Sequence, residues 1–228
     1  MERVMKMKMK SMLIAFALGL VSGTLPAAAQ FKLPDFVAPG STPSHQTTTE
    51  AVTDFYAIFL TARLDMNQSQ IHLANAFELK EQVALLEAEQ ARLAEGNLTA
   101  SDVKDSVQLS NKASEAIDAR IQEGAELSEE GQQYFIQALP YLVSGTLLTI
   151  ELPNRAQSYV DQLRRDAQSA NYMQKAQIAI KLKDGAQVAH QMPSYIRTTA
   201  TNYKLVMGYG KDHSMPIPED ATDVLGSL

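Results

Sequence analysis

The chain of 228 residues contains no cysteine and no tryptophan, and only four histidines. Without cysteine no disulfide braces the fold, and thiolate chemistry of either the metal-binding or the nucleophilic kind is excluded. His45, His72, His190 and His213 are scattered, none of them four residues from another, so a zinc or haem site has no support and neither metal ligand nor cofactor is assigned. Asp65 precedes His72 by two helical turns and can share its face, but two groups do not close a metal site. Equally missing are a G-x-S-x-G elbow, a phosphate-cradling glycine loop and an evident Ser, His and Asp set. The expectation is a protein without catalytic residues that acts by binding; an enzyme stays open as a third class, because catalytic groups need not be neighbours in sequence.

What is present begins with an export signal. Arg3, Lys6, Lys8 and Lys10 precede an apolar run from Met12 to Val21, and Ala27, Ala28 and Ala29 follow, which is the three-part pattern of a secretory leader cut before Gln30. The run is shorter than the roughly 20 residues of a membrane span. The leader (1–29) holds four basic residues and Glu2, so the remainder carries 16 Lys and Arg against 25 Asp and Glu, a net charge of about −9. Nucleic acid is therefore excluded as a partner on charge grounds. A Gram-negative periplasmic or secreted protein is expected, with no span left after cleavage. Next comes a Pro-rich arm (30–47), extended because Pro34, Pro39, Gly40 and Pro43 interrupt regular structure, and either unstructured or docked through Phe31, Leu33, Phe36 and Val37.

Residues 48–211 read as one all-α domain, a helical bundle of five to six helices with a long N-terminal helical hairpin and a central apolar helix. Apolar residues recur from Val52 through Phe55, Phe59, Ala62 and Met66 to Leu93, with a three-residue slip near Ala76. The spacing predicts a long, coiled-coil-like helix that either overwinds or breaks at Asn67-Gln68-Ser69-Gln70, and Gly96-Asn97 ends it. Thr99-x-x-Asp102 caps a second helix, stopped by Gly124. Ser128 begins the third, which Pro153 is expected to close. A fourth runs from Asn154, a fifth from Tyr172, and Pro193 interrupts before a last helix that Ser194 caps. Residues 176–190 alternate and contain Asp184-Gly185, so a hairpin competes there with helix, which the abundance of Ala, Gln, Lys and Met favours. A tail (212–228) holds at most a short closing helix.

Tyr134 to Ile150 carries no charge at all. A helix apolar on all sides is the expected centre of a bundle. Pro140 nonetheless removes one backbone hydrogen bond, and Ser144 and Gly145 remove volume a turn later. That combination permits a cavity lined by Tyr134, Phe135, Leu139, Pro140, Tyr141, Val143, Ser144, Gly145 and Leu148, suited to an acyl chain, with a filled core as the alternative.

Charge is also uneven. Residues 50–130 contain 16 acids and 6 bases, whereas residues 151–211 contain 4 acids and 9 bases. Acidic helices neutralising basic ones would account for this, with solvated pairs of little energetic weight. So would an anion-binding face built from Arg155, Arg164, Arg165, Lys175, Lys181 and Lys183. Two functional expectations result. The first is an exported interaction or envelope-assembly protein that meets a protein partner through Glu78, Glu81, Glu87, Glu89 and Glu95. The second is a carrier of an apolar anion such as a fatty acid or phospholipid. The oligomeric state is not legible.

Overall fold

Four of the five helix starts lie well inside the described region, and three of them carry the side-chain caps that their position requires. The side chain of Thr99 accepts from the Asp102 N–H, and the Asp102 carboxylate accepts from the Thr99 N–H in return. Ser128 accepts from the Gly131 N–H, and Asn171 exchanges the same pair of bonds with Gln174. The computed structural model describes residues 48–221 except Asn97, with Val224 and Gly226; the expected leader and Pro-rich arm lie outside the described residues.

The fold is all-α. Among the described residues there are five helices: α1 (Thr48–Ala76), α2 (Lys80–Ala94), α3 (Ala100–Gln122), α4 (Glu129–Ser169) and α5 (Tyr172–Asp212). Gly96 and Gly124 close α2 and α3 with φ of +74° and +70°, a region open to glycine at little cost. Helix α1 packs most extensively on α4. The pair is antiparallel, since Gly131 lies against the Ala76 carbonyl, Gly145 against Ala62 and Met66, and the Phe55 ring stacks on Tyr159 with centroids 6.1 Å apart. Helix α5 runs back along α4, with Gly185 against Tyr159 and Gly210 against Phe135.

Several boundaries differ from those the sequence suggested. The chain does not break at Asn67–Gln70, where α1 is continuous; it breaks at Phe77–Leu79, where Glu78 takes φ 57°, at the point of the register slip. Pro153 does not close a helix, nor does Pro193. Both lie inside 41-residue helices, each about 60 Å long, and residues 176–190 are helix throughout. A proline costs one intrahelical bond and a local clash, about 3 kcal/mol in an isolated helix, and packing on both sides of it outweighs that. Thus the longest hairpin is α4–α5, not the N-terminal α1–α2 pair. Its register puts Pro153 and Pro193 within about one turn of each other.

The interior is divided along the helix axes. One apolar cluster gathers Met66 and Leu73, Phe135, Leu139, Leu142 and Val143, and Tyr203, Val206, Met207 and Tyr209; Ala221 and Val224 of the tail join it, with the Tyr203 hydroxyl donating to the Ala221 carbonyl at 2.7 Å. A second gathers Phe55, Phe59, Val103, Tyr159, Leu163, Val188 and Tyr195. Between them every long helix places buried polar residues at the same level: Arg63, Asn67 and Gln70 on α1, Ser106 and Ser110 on α3, Thr146 and Thr149 on α4, and Thr199 on α5. By length and composition α4 is apolar enough to cross a membrane, and half of its 18-residue window of mean hydropathy 1.4 is buried within the protein.

Candidate functional site

The nine residues expected to line a cavity do not share one wall. Phe135, Leu139 and Val143 are buried in the first apolar cluster, while Pro140 and Tyr141 face solvent. Leu148 is half-buried against the second cluster. Gly145 supplies no free volume, because a Cβ there would stand 2.8 Å from the Met66 nitrogen and 3.2 Å from its Cα. Its small size serves close approach of two helix backbones. Ser144 donates to Asp65 across the same crossing at 2.6 Å. Tyr134 and Tyr141 flank His72, whose ring stacks on Tyr141 with centroids 5.9 Å apart and lies 3.0 Å from the Gln68 amide.

Burial holds the His72 imidazole below its ordinary value, and it raises the Asp65 carboxyl against the opposing pull of the Ser144 hydroxyl. For His72 the unfolded chain binds a proton that the folded chain refuses. This contribution to stability is therefore complete above pH 6.5 and declines as pH falls below that value. The His72→Gln variant should show a shallower loss of melting temperature between about pH 7 and pH 5 than the parent; equal slopes would assign the acid sensitivity elsewhere.

Sequence reading did not single out the polar layer. Arg63 is fully buried, and no carboxylate among the described residues pairs with it. Its Nε donates to Ser106 at 2.8 Å, its Nη1 to Ser110 at 3.1 Å and to the Tyr195 hydroxyl at 3.4 Å, and the guanidinium lies 5.9 Å from the Tyr195 ring centroid. Gln70 adds bonds to the Ser110 carbonyl and the Ser114 hydroxyl. A cation solvated by neutral hydroxyls and a ring face holds α1, α3 and α5 in one register.

Of the five acids expected to meet a partner, Glu78, Glu81, Glu87 and Glu95 are exposed. Glu89 is not available: it is buried and clamped by Arg92, which also reaches Asp102 at 2.8 Å and so ties α2 to α3. The ion pairs are local or bridge α2 and α3, and among the described residues none joins the acidic first half to the basic second half.

The basic residues concentrate toward the end of the α4–α5 hairpin. Arg155 sits near Glu151 within α4, at 3.9 Å. Beyond it, Arg164, Arg165, Lys175, Lys181 and Lys183 are exposed around the last turns of α4 and the first of α5. Among the described residues only Arg164 of these has an ion pair, with Asp161 at 3.3 Å. Among them stand large apolar side chains that sequence reading did not assign to a site: Tyr172 is 91 % exposed, Met173 77 % and Ile180 64 %. The signal was the spacing Met173, Ala176, Ile180, which marks one helix face but does not say whether a neighbour covers it. Farther down α5, an open groove of about 360 Å³ has Ile150, Pro193 and Ile196 as its apolar part and Arg197 and Lys204 on its rim.

No protein-family model matches the sequence, and no curated protein or solved structure is significantly similar to it.

Proposed function

We propose that the chain is an exported, non-catalytic interaction protein of the cell envelope, and that the end of the α4–α5 hairpin is its docking element. One observation carries this reading: three large apolar side chains stand in solvent at the end of a long hairpin, among five cations of which, among the described residues, only Arg164 has an acidic partner. Isolated exposed leucines are ordinary on a soluble surface, whereas a contiguous apolar patch with a polar rim marks an interaction site. The acidic exposed face of α2 is a secondary contact in this reading. The carrier reading now draws its support from the groove beside Arg197 and Lys204 rather than from the Gly145 region.

Because the chain has no cysteine, the Met173→Cys variant carries a unique probe. In the envelope fraction of its own host this thiol should react with a maleimide reagent much more slowly than in the purified protein. Equal rates in both preparations would remove the docking role. Intact mass of the purified protein reads leader removal at Gln30 in the same preparation, and a retained lipid mass would move the carrier reading to the front.

A further inference from the structure

The outer turns of α5 present one stripe. Met173, Ala176 and Ile180 lie at successive turns, Tyr172 and Ala179 widen the stripe, and all five are exposed. The opposite face of the same turns carries Ile178 and Leu182, which are half-buried against the second apolar cluster. The hairpin is thus already satisfied on its inner side, and the outer stripe is surplus to folding. Lys175 and Lys181 border it on either side along the helix, Lys183 closes its inner end, and Arg164 and Arg165 stand at the same level on α4.

This order matches a bilayer interface. A helix lying in that plane sinks an apolar face about 5–10 Å and keeps Lys and Arg at its margins, where their stems snorkel to the phosphates. The rest of the molecule is acidic: residues 50–130 alone hold 16 acids against 6 bases. An anionic surface therefore repels the body and attracts the tip, which selects both the surface and the orientation on it. A protein groove would have to match both a flat apolar stripe and cations on three sides of it. A lipid surface adapts to any such outline.

We propose that the tip of the α4–α5 hairpin binds the surface of anionic phospholipid bilayers, with Tyr172, Met173 and Ile180 entering the interface and Lys175, Lys181 and Lys183 contacting headgroup phosphates. The proposal rests on the docking reading above and names the partner of that same element.

The test is co-sedimentation of protein purified from its own host with vesicles of phosphatidylglycerol and phosphatidylethanolamine, and with vesicles of phosphatidylcholine alone. Binding should be at least about tenfold tighter to the anionic vesicles and should weaken strongly toward 1 M salt, where the screening length is about 3 Å. Replacing Lys175, Lys181 and Lys183 together by glutamine should weaken binding about 100-fold, at roughly fivefold per cation. Met173→Ser with Ile180→Ser should weaken it about tenfold or more without changing the melting curve. Parent and variants share one N-terminus, so their differences belong to the tip. The chain has no tryptophan, so in the Tyr172→Trp variant the indole emission should shift to the blue on anionic vesicles only.

Equal binding to both vesicle types, or variants that bind like the parent, would overturn the proposal. A Met173→Cys thiol protected in the envelope with no vesicle binding would also overturn it while leaving the docking reading in place, with a protein as the partner. Self-association abolished by the same tip variants would give the surface to a second copy instead.

Discussion

Gly145→Leu should cost at least about 3 kcal/mol and leave the protein largely unfolded at temperatures where the parent is intact. The reason is geometric. A Cβ at this position meets the Met66 nitrogen at 2.8 Å and the Ala62 carbonyl at 3.4 Å, and these are backbone atoms that no change of rotamer moves. Overpacking against yielding side chains costs about 1–3 kcal/mol. Here α1 and α4 must separate, and with them the largest helix contact in the molecule. Gly145→Ala should fall between, since gained helix propensity of up to about 1 kcal/mol offsets part of the clash. Gly208 is the control: it is also helical, nothing lies within 4 Å of its Cβ position, and Gly208→Ala should raise stability by up to about 1 kcal/mol. Urea unfolding followed by circular dichroism measures all three. A Gly145→Leu midpoint equal to that of the parent would mean that the crossing is looser than described. The same physics bears on the carrier reading, because a ligand lost on this substitution would report loss of the fold.

A second large effect is expected at Arg63. Arg63→Ala removes the partner of two serines and of the Tyr195 hydroxyl, leaves these polar groups buried, and opens a cavity the size of the lost side chain. Losses of about 3–5 kcal/mol are typical when one member of such a buried network is deleted. Filling the space with apolar volume and removing an orphaned hydroxyl is a different change. Arg63→Met combined with Ser106→Ala should recover more than half of the deficit, because a buried charge gains little net stability over well-packed methylene groups. If the double variant is as unstable as Arg63→Ala, the guanidinium is needed in its own right and the layer has a role beyond register.

These two positions also show where a sequence stops being readable. The caps at Thr99 and Ser128 are legible because their partners lie three residues away, and the glycine ends of α2 and α3 are legible for the same reason. Asn67-Gln68-Ser69-Gln70 looks like a break in an apolar pattern. It is instead one wall of a buried polar layer, whose partners are distant in sequence: Gln70 bonds Ser110 and Ser114, about 40 residues on, and Asn67 bonds the Leu86 carbonyl and Gln90. Pro153 and Pro193 read as helix ends because local cost is visible in a sequence and the packing of 41-residue helices is not. Gly145 stands out for its missing volume, but whether that volume stays empty depends on α1. At the hairpin tip the apolar spacing is plain in the residues, yet whether a neighbour covers that face follows only from the folded packing.

The pairing of α1 with α4 also sets a clock. Asp65 and Ser144 are separated by 79 positions in the chain. At about 5–20 residues per second, synthesis of that interval takes roughly 4–16 s. During this time Phe55, Phe59 and Met66 have emerged and their main partner has not. The first helix meanwhile lacks its main partner, and slowing the arrival of α4 should lengthen the time in which it is open to holding factors and to premature self-association.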